Sequence, residues 1–394
     1  MKKSYLMIAA AAALFAACSD NEMKNDVKEF NQSVIGFSSY AGLQTRAADN
    51  NKDASNLWDL ENHHTTFDVW AWKYYNNQWV STAVYNKGTV SYASSAWTAS
   101  PLKFWDKSAE KYYFYAAAPS NANWVLENNG TTDVHNDDYF TYADFTLAGT
   151  NIASTTYTQS FSSVGDVDLM IAHDNEVART AYNKPAPDDV NEIFDHILSR
   201  LNVTVALKAG GDLATNNAVV KVTNFAITGV TLKNKGSFNE NADLNGDVLA
   251  NGTIKRWSSL SIDNVPYNLS GYDISSTTLT TDALYIAQYL IIPQAITSEE
   301  LDRANGLKDT DANDTGDQAA AYPYFVISYT INNEPYTSYY NLANAFGVAA
   351  DGTLAFNEGW ANTLNIKLDA DIITFDAQVY EWTNAVNPNV IIED

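Results

Sequence analysis

Apolar and polar residues alternate with a period of two in run after run along this 394-residue chain. Phe67, Val69 and Ala71 alternate with Asp68, Trp70 and Trp72, and Tyr113, Tyr115 and Ala117 with Tyr112, Phe114 and Ala116. Val167, Leu169 and Ile171 flank Asp168 and Met170. In the second half, Leu201, Val203, Val205 and Leu207 alternate with Asn202, Thr204, Ala206 and Lys208. Phe325, Ile327, Tyr329 and Ile331 repeat the pattern, as do Leu364, Ile366 and Leu368, then Ile373, Phe375, Ala377 and Val379. A two-residue period is that of a β-strand, whose successive side chains point to opposite faces. Clusters of Asn, Gly, Asp and Thr between the runs are turn formers. Many strands with no regular helix between them predict antiparallel sheets packed as two sandwiches, not a parallel α/β sheet.

One stretch departs from the pattern. Val190, Ile193, Phe194, Ile197, Leu198 and Leu201 follow helical spacing behind Asp188-Asp189, a plausible N-cap, and predict a short helix feeding the next strand. A second helical turn is expected after Thr297, where Thr297 and Glu300 fit a capping box. The preceding Asn183-Lys184-Pro185-Ala186-Pro187 reads as a linker and places a domain boundary near residue 185.

Composition narrows the function. Lys and Arg number 23 against 47 Asp and Glu, for a formal net charge of −24. So acidic a surface repels phosphate backbones and excludes nucleic acid as a partner. The single cysteine excludes an intrachain disulfide. At the N-terminus, Lys2 and Lys3 precede an uncharged, mostly apolar run from Tyr5 to Ala17. That run is shorter than the ~20 residues needed to span a bilayer and reads as a signal peptide. It ends Leu14-Phe15-Ala16-Ala17-Cys18, so small residues precede the lone thiol as in a bacterial lipobox, whose cysteine is acylated. Phe15 stands where Leu or Val is usual. The following Ser19-Asp20-Asn21-Glu22 resembles a surface-export signal of lipoproteins.

Behind a polar tether, residues 34–40 (Val-Ile-Gly-Phe-Ser-Ser-Tyr) read as a strand, and residues 44–53 as an exposed loop. Arg46 in that loop is either a protease target or an ordinary solvated arginine.

No HExxH, GxSxG, Walker A or GxGxxG pattern occurs, so the chain reads as no enzyme and needs no cofactor or metal. The adjacent His63 and His64 would point to opposite faces of a strand and chelate poorly, and His196 reads as an interior histidine. The acidic run 309–317 fits a calcium loop only in part. Starting at Asp311, Gly316 falls in place, but Tyr322 stands where the bidentate acid belongs. Trp70, Trp72, Tyr74, Tyr75 and Trp79 are dense enough either for a sugar-stacking platform or for a sandwich core.

Several patches together resemble the fimbrillin family of Bacteroides-type bacteria, subunits of protease-assembled (type V) pili. They are Cys18; the strand-then-arginine segment ending Thr45-Arg46-Ala47; Phe104-Trp105 followed by Tyr112 to Ala116 and Pro119; Asp168-Leu169-Met170; residues 194–201; Ile291-Ile292-Pro293-Gln294; and Gly359-Trp360 leading through Ile366 to Phe375 and Trp382. The resemblance implies an all-β chain of two tandem transthyretin-like antiparallel β-sandwich domains, with at most one or two short helices. It implies export as a lipoprotein acylated at Cys18, cleavage by an Arg-specific protease between Arg46 and Ala47, and polymerisation by donor-strand exchange. The expected divisions are a signal peptide (1–17), a pro-segment with a displaceable strand (18–46), and domains at 47–185 and 186–394. The pro-segment strand is expected to fill an edge slot. The expected donor is the tail 386–394, with Val390 and Ile392, or Ile391, entering the vacated groove. Partners would then be other pilus subunits, the protease, and the outer membrane before cleavage. A glycan or host ligand is left open, and a surface-anchored glycan-binding lipoprotein is the alternative.

Overall fold

The computed structural model describes residues 33–41, 65–94, 96–128, 135, 138–147, 167–228, 232–245, 256–261, 269–270, 275–296, 324–341, 354–370 and 373–381. The chain runs β1 (Phe37–Ala41), β2 (Thr66–Tyr75), β3 (Gln78–Trp79), β4 (Tyr85–Ala93), β5 (Ala96–Ser100), β6 (Lys111–Ala118), β7 (Trp124–Glu127), β8 (Tyr139–Thr146) and β9 (Met170–Ala178). One helical turn, α1 (Arg179–Tyr182), leads to β10 (Val190–His196) and β11 (Ser199–Leu207). A second, α2 (Asp212–Thr215), precedes β12 (Val220–Thr228), β13 (Lys235–Asn239) and a 3-10 turn at Glu240–Asn245. Then come β14 (Trp257–Ser261), β15 (Leu269–Ser270), β16 (Leu284–Ile291), β17 (Gln294–Ile296) and β18 (Tyr324–Ile331). The last strands are β19 (Glu334–Asn341), β20 (Leu354–Phe356), β21 (Trp360–Leu368) and β22 (Ile373–Glu381). The fold is all-β, as its alternation predicts.

The first half builds one sheet in the order β3-β2-β4-β5-β1-β10-β9-β6. Because β2 also pairs with β6, this sheet closes into a ring. Closure removes free edges, which would otherwise present unpaired backbone groups. Phe67, Val69 and Ala71 of β2 point into the ring with Phe114 and Ala116 of β6. Trp70 and Tyr115 point the other way, into a second core continuous with the second half of the chain. That explains why β2 and β6 read as apolar on both faces. Asp68, which alternation places on the polar face, is buried. It accepts hydrogen bonds from Ser120 Oγ (2.6 Å) and Asn121 N (3.1 Å), which tie the end of β6 to β2.

The second half forms sheets β16-β11-β21-β22 and β15-β12-β18-β19. Every residue of β11 is buried between its neighbours β16 and β21, including Asn202 and Thr204 on the face that alternation makes polar. Most pairings are antiparallel, but β1–β10 and β11–β21 are parallel. A third sheet, β14-β13-β8-β7, takes two strands from each half.

The helix expected from residue 190 is instead β10. Val190, Glu192, Phe194 and His196 are buried and alternate with less buried residues. Glu192 is an inward position that reads as polar, so the remaining apolar residues fall by accident into helical spacing. Strand β10 also returns to the first sheet, beside β9 and β1. The sheet of the first half therefore extends past the boundary expected near 185, and the chain leaves it at Ile197-Leu198. Here Trp257 Nε1 donates to Ile197 O (2.9 Å), and Gly359 N donates to Leu198 O (3.0 Å).

Candidate strand-acceptor slot

The segment 33–41 supplies a strand that other parts of the first half surround. On one side β1 runs parallel to β10, in register from Phe37–Val190 to Ala41–Phe194. On the other side it meets β5 at the single pair Phe37–Trp97. Further toward its start, Ile35 N donates to Lys103 O (2.9 Å) and Trp105 N to Ser33 O (3.0 Å). Val190 N donates to Gly36 O (2.9 Å). The segment was expected to fill an edge slot. It lies instead inside the ring sheet, between β5 and β10, because the chain beyond α1 brings β10 back alongside it. Without β1 the ring is open between those two strands.

Two side chains seat it. Ile35 and Phe37 are almost fully buried, at 1% and 4% exposure. Phe37 makes edge contacts with Phe67 (6.0 Å between centroids), Tyr85 (5.8 Å) and Phe114 (6.0 Å). Their spacing, two residues apart, puts both on the inward face. Burial of two such side chains is worth roughly 1.5–3 kcal/mol each. Ser38 Oγ, on the opposite face, donates to Asn191 Oδ1 (3.2 Å).

A wholly buried carboxyl lines the slot. Glu192 is wholly buried on β10, between the inward-facing Val190 and Phe194. Asn175 Nδ2 donates to its Oε2 (3.3 Å). Burial makes it a weaker acid, its pKa pushed up to about 8, against a smaller opposing effect of the Asn175 bond. A carboxylate in an alternating stretch reads as surface, so the pattern gave no sign of it.

Three of the patches that carry the family resemblance, around Asp168, residues 194–201 and Gly359-Trp360, meet at the exit from the ring. Asp168 Oδ2 and His196 Nδ1 are 2.5 Å apart and buried, beside the pairs Ile171–Asp195 and Met170–His196. The interior reading of His196 is correct. Ser199 Oγ donates to Trp360 O (3.1 Å). Gly359 has φ of +67°, a left-handed conformation that glycine adopts without strain. Its α-carbon lies close enough to His196 O that a Cβ would stand 3.3 Å away. Gln294 bonds the Lys233 backbone in both directions, at 2.7 Å and 2.9 Å. Trp105 stacks on Tyr182 at 4.6 Å, and Tyr112 Oη accepts from Asp106 N (2.8 Å).

The dense aromatics of β2 and β3 do not form one exposed platform. Trp70 is buried, and Trp72 stacks on His135 at 4.0 Å. Lys111 lies over Tyr74, Trp79 and Tyr113 at 5.3–5.8 Å. Cys18, Arg46, Ala47, Val390, Ile391 and Ile392 lie outside the described residues, as do His63, His64, the turn after Thr297 and the loop 309–317. Among the described residues, no group of His, Cys, Asp and Glu is arranged to hold a metal ion.

The chain is similar in structure to a fimbrial protein of Bacteroides vulgatus, at 16% identity and a TM-score of 0.45, over 89% of this chain and 99% of that one. It is also similar to the tip fimbrial protein Mfa3 of Porphyromonas gingivalis (10%, TM-score 0.36, 83% and 96%). A fimbrial assembly protein of Parabacteroides distasonis matches at 10% and 0.34, over 89% and 99%. No curated protein matches the sequence. A family model described as fimbrillin-like matches residues 45–382, most of the chain, and the chain belongs to that fimbrillin-like family.

Proposed function

We propose that this chain is a structural subunit of a cell-surface pilus, exported as a lipoprotein through Cys18, cut between Arg46 and Ala47, and polymerised by replacing β1 with a strand from another subunit. The observation that carries this reading is the seat of β1. It completes the ring between β5 and β10, yet it precedes the predicted cut. Ala41 and Arg46 are five residues apart, at most about 18 Å of chain. A cut after Arg46 leaves β1 held only by non-covalent contacts.

Loss of β1 bares one edge of β10, one edge of β5 and the pocket that Ile35 and Phe37 filled. Unpaired backbone groups and an apolar trough make a template for strand addition. The family match begins at residue 45, after β1. The tail 386–394 also lies outside it. In the tail, Val390 and Ile392 repeat the two-residue spacing of Ile35 and Phe37. The precursor would sit at the outer membrane, and the trimmed subunit in the extracellular pilus.

Deletion of residues 386–394 tests the donor. The variant should fold, carry lipid and be trimmed to Ala47, yet extend no fibre. Ladders of polymer from the deletion variant would overturn the assignment of the tail. Surface fibres whose subunits begin at Cys18 would overturn the cleavage.

A further inference from the structure

The inward face of β1 carries Ile35, Phe37 and then Ser39, whose hydroxyl is buried and has no hydrogen-bond partner among the described residues. In the parallel register, Ser39 lies directly beside Glu192. Phe37 and its partner Val190 both face the core, so by alternation Ser39 and Glu192 share that face. Glu192 Oε1 is likewise buried and unpartnered among the described residues, while Oε2 takes the Asn175 bond. Although the two strands are neighbours, Ser39 Oγ and Glu192 Oε1 make no hydrogen bond to each other. The pro-segment therefore fills the two apolar positions well and leaves two buried polar atoms unsatisfied at the third. Buried polar groups in folded proteins are paired in the great majority of cases.

We infer that Glu192 is a specificity subsite of the slot, which selects an incoming strand with two apolar side chains at alternate positions and, at the next inward one, a side chain that hydrogen-bonds the Glu192 carboxyl. This rests on the strand-replacement reading above and gives the exchange a direction. The pro-segment is an imperfect occupant, and a strand that satisfies Glu192 displaces it. A longer side chain such as an asparagine amide, which can both donate and accept, can span the gap that the serine hydroxyl leaves. An apolar residue there would leave Glu192 unpaired.

The test uses the full chain, cut after Arg46 at a protease site placed there, and reads the half-time of release of the 1–46 fragment. Ser39→Asn should hold the fragment at least fivefold longer than Ser39→Val. In a Glu192→Met background, or Glu192→Leu should the Met variant not fold, the order should invert. The same order in both backgrounds overturns the proposal. If neither background folds, the order in the wild-type chain decides, and a valine fragment held longer than an asparagine one overturns it. Ile35→Ser and Phe37→Ser separate this proposal from the reading beneath it. Fast release of both, without the inversion, defeats the subsite alone. Release unaffected by either defeats the slot and the subsite together.

Discussion

Gly36 lies against the side chain of Asp189. A Cβ built on Gly36 would stand 3.0 Å from Asp189 Cγ, and closer still to its Oδ1. Gly36 is the residue between the two buried anchors Ile35 and Phe37, and its carbonyl takes the Val190 amide. A side chain here must push Asp189 aside or lift β1 from β10.

The prediction is that Gly36→Ala destabilises the precursor by about 1 kcal/mol, the low end of the cost of overpacking, because the exposed Asp189 side chain can swing aside. Asp189 is exposed, so its removal costs little. Gly36→Ala with Asp189→Ala should regain most of the loss. Urea unfolding of the two single variants and the double variant checks this through their coupling. Strictly additive effects would refute the close approach.

The strands β11, β18, β21 and β22 are legible because their alternation is local and strong, and β2 and β6 as continuous apolar and aromatic runs. The place of β1 was legible only as a strand. Its parallel pairing joins Phe37 to Val190, and no local pattern encodes a register across that separation. β10 was misread for a different reason. Alternation identifies a strand only if inward positions are apolar, and Glu192 and His196 are inward. The polar residues that organise the slot and its exit, Glu192 and Asp168 among them, look in sequence like surface charge. Their burial appears only when the sheets close around them.

Glu192 gives the precursor a pH dependence of definite sign. Its carboxyl has an ordinary value of 4.5 and is pushed up to about 8 when buried. The folded chain thus holds a proton that the unfolded chain has released. The stabilisation is fully present below 4.5 and is lost as pH rises toward 8, at up to about 1.4 kcal/mol per pH unit. Among the described residues its bonded side chain is Asn175, and no charged partner offsets the effect. Urea unfolding of wild type and Glu192→Gln between pH 5 and 8 should show the wild type losing ground steadily. Parallel curves would contradict this.

Asp168 and His196 close the exit from the ring. Both side chains are buried, so Asp168→Ala strands the imidazole without its carboxylate. Removing one partner of a buried hydrogen bond costs about 1–3 kcal/mol. Asp168→Asn, which keeps the shape and one hydrogen bond, should cost distinctly less. Denaturant midpoints of both variants measure this, and a loss below about 1 kcal/mol for the alanine variant would show that the pair is dispensable.

In the proposed assembly, β1 leaves its slot before one subunit joins another. Ser38 and Asn191 are in-register neighbours on β1 and β10, with their side chains hydrogen-bonded at 3.2 Å. Adjacent strands about 4.8 Å apart lie within disulfide reach. A Ser38→Cys, Asn191→Cys chain therefore locks β1 in place under oxidising conditions. The measurement is fibre formation by this chain after cleavage at Arg46, with and without reductant, beside each single-cysteine variant. The account predicts no fibres while the disulfide holds and normal fibres on reduction. Fibres growing at the wild-type rate from the oxidised, locked chain would contradict it.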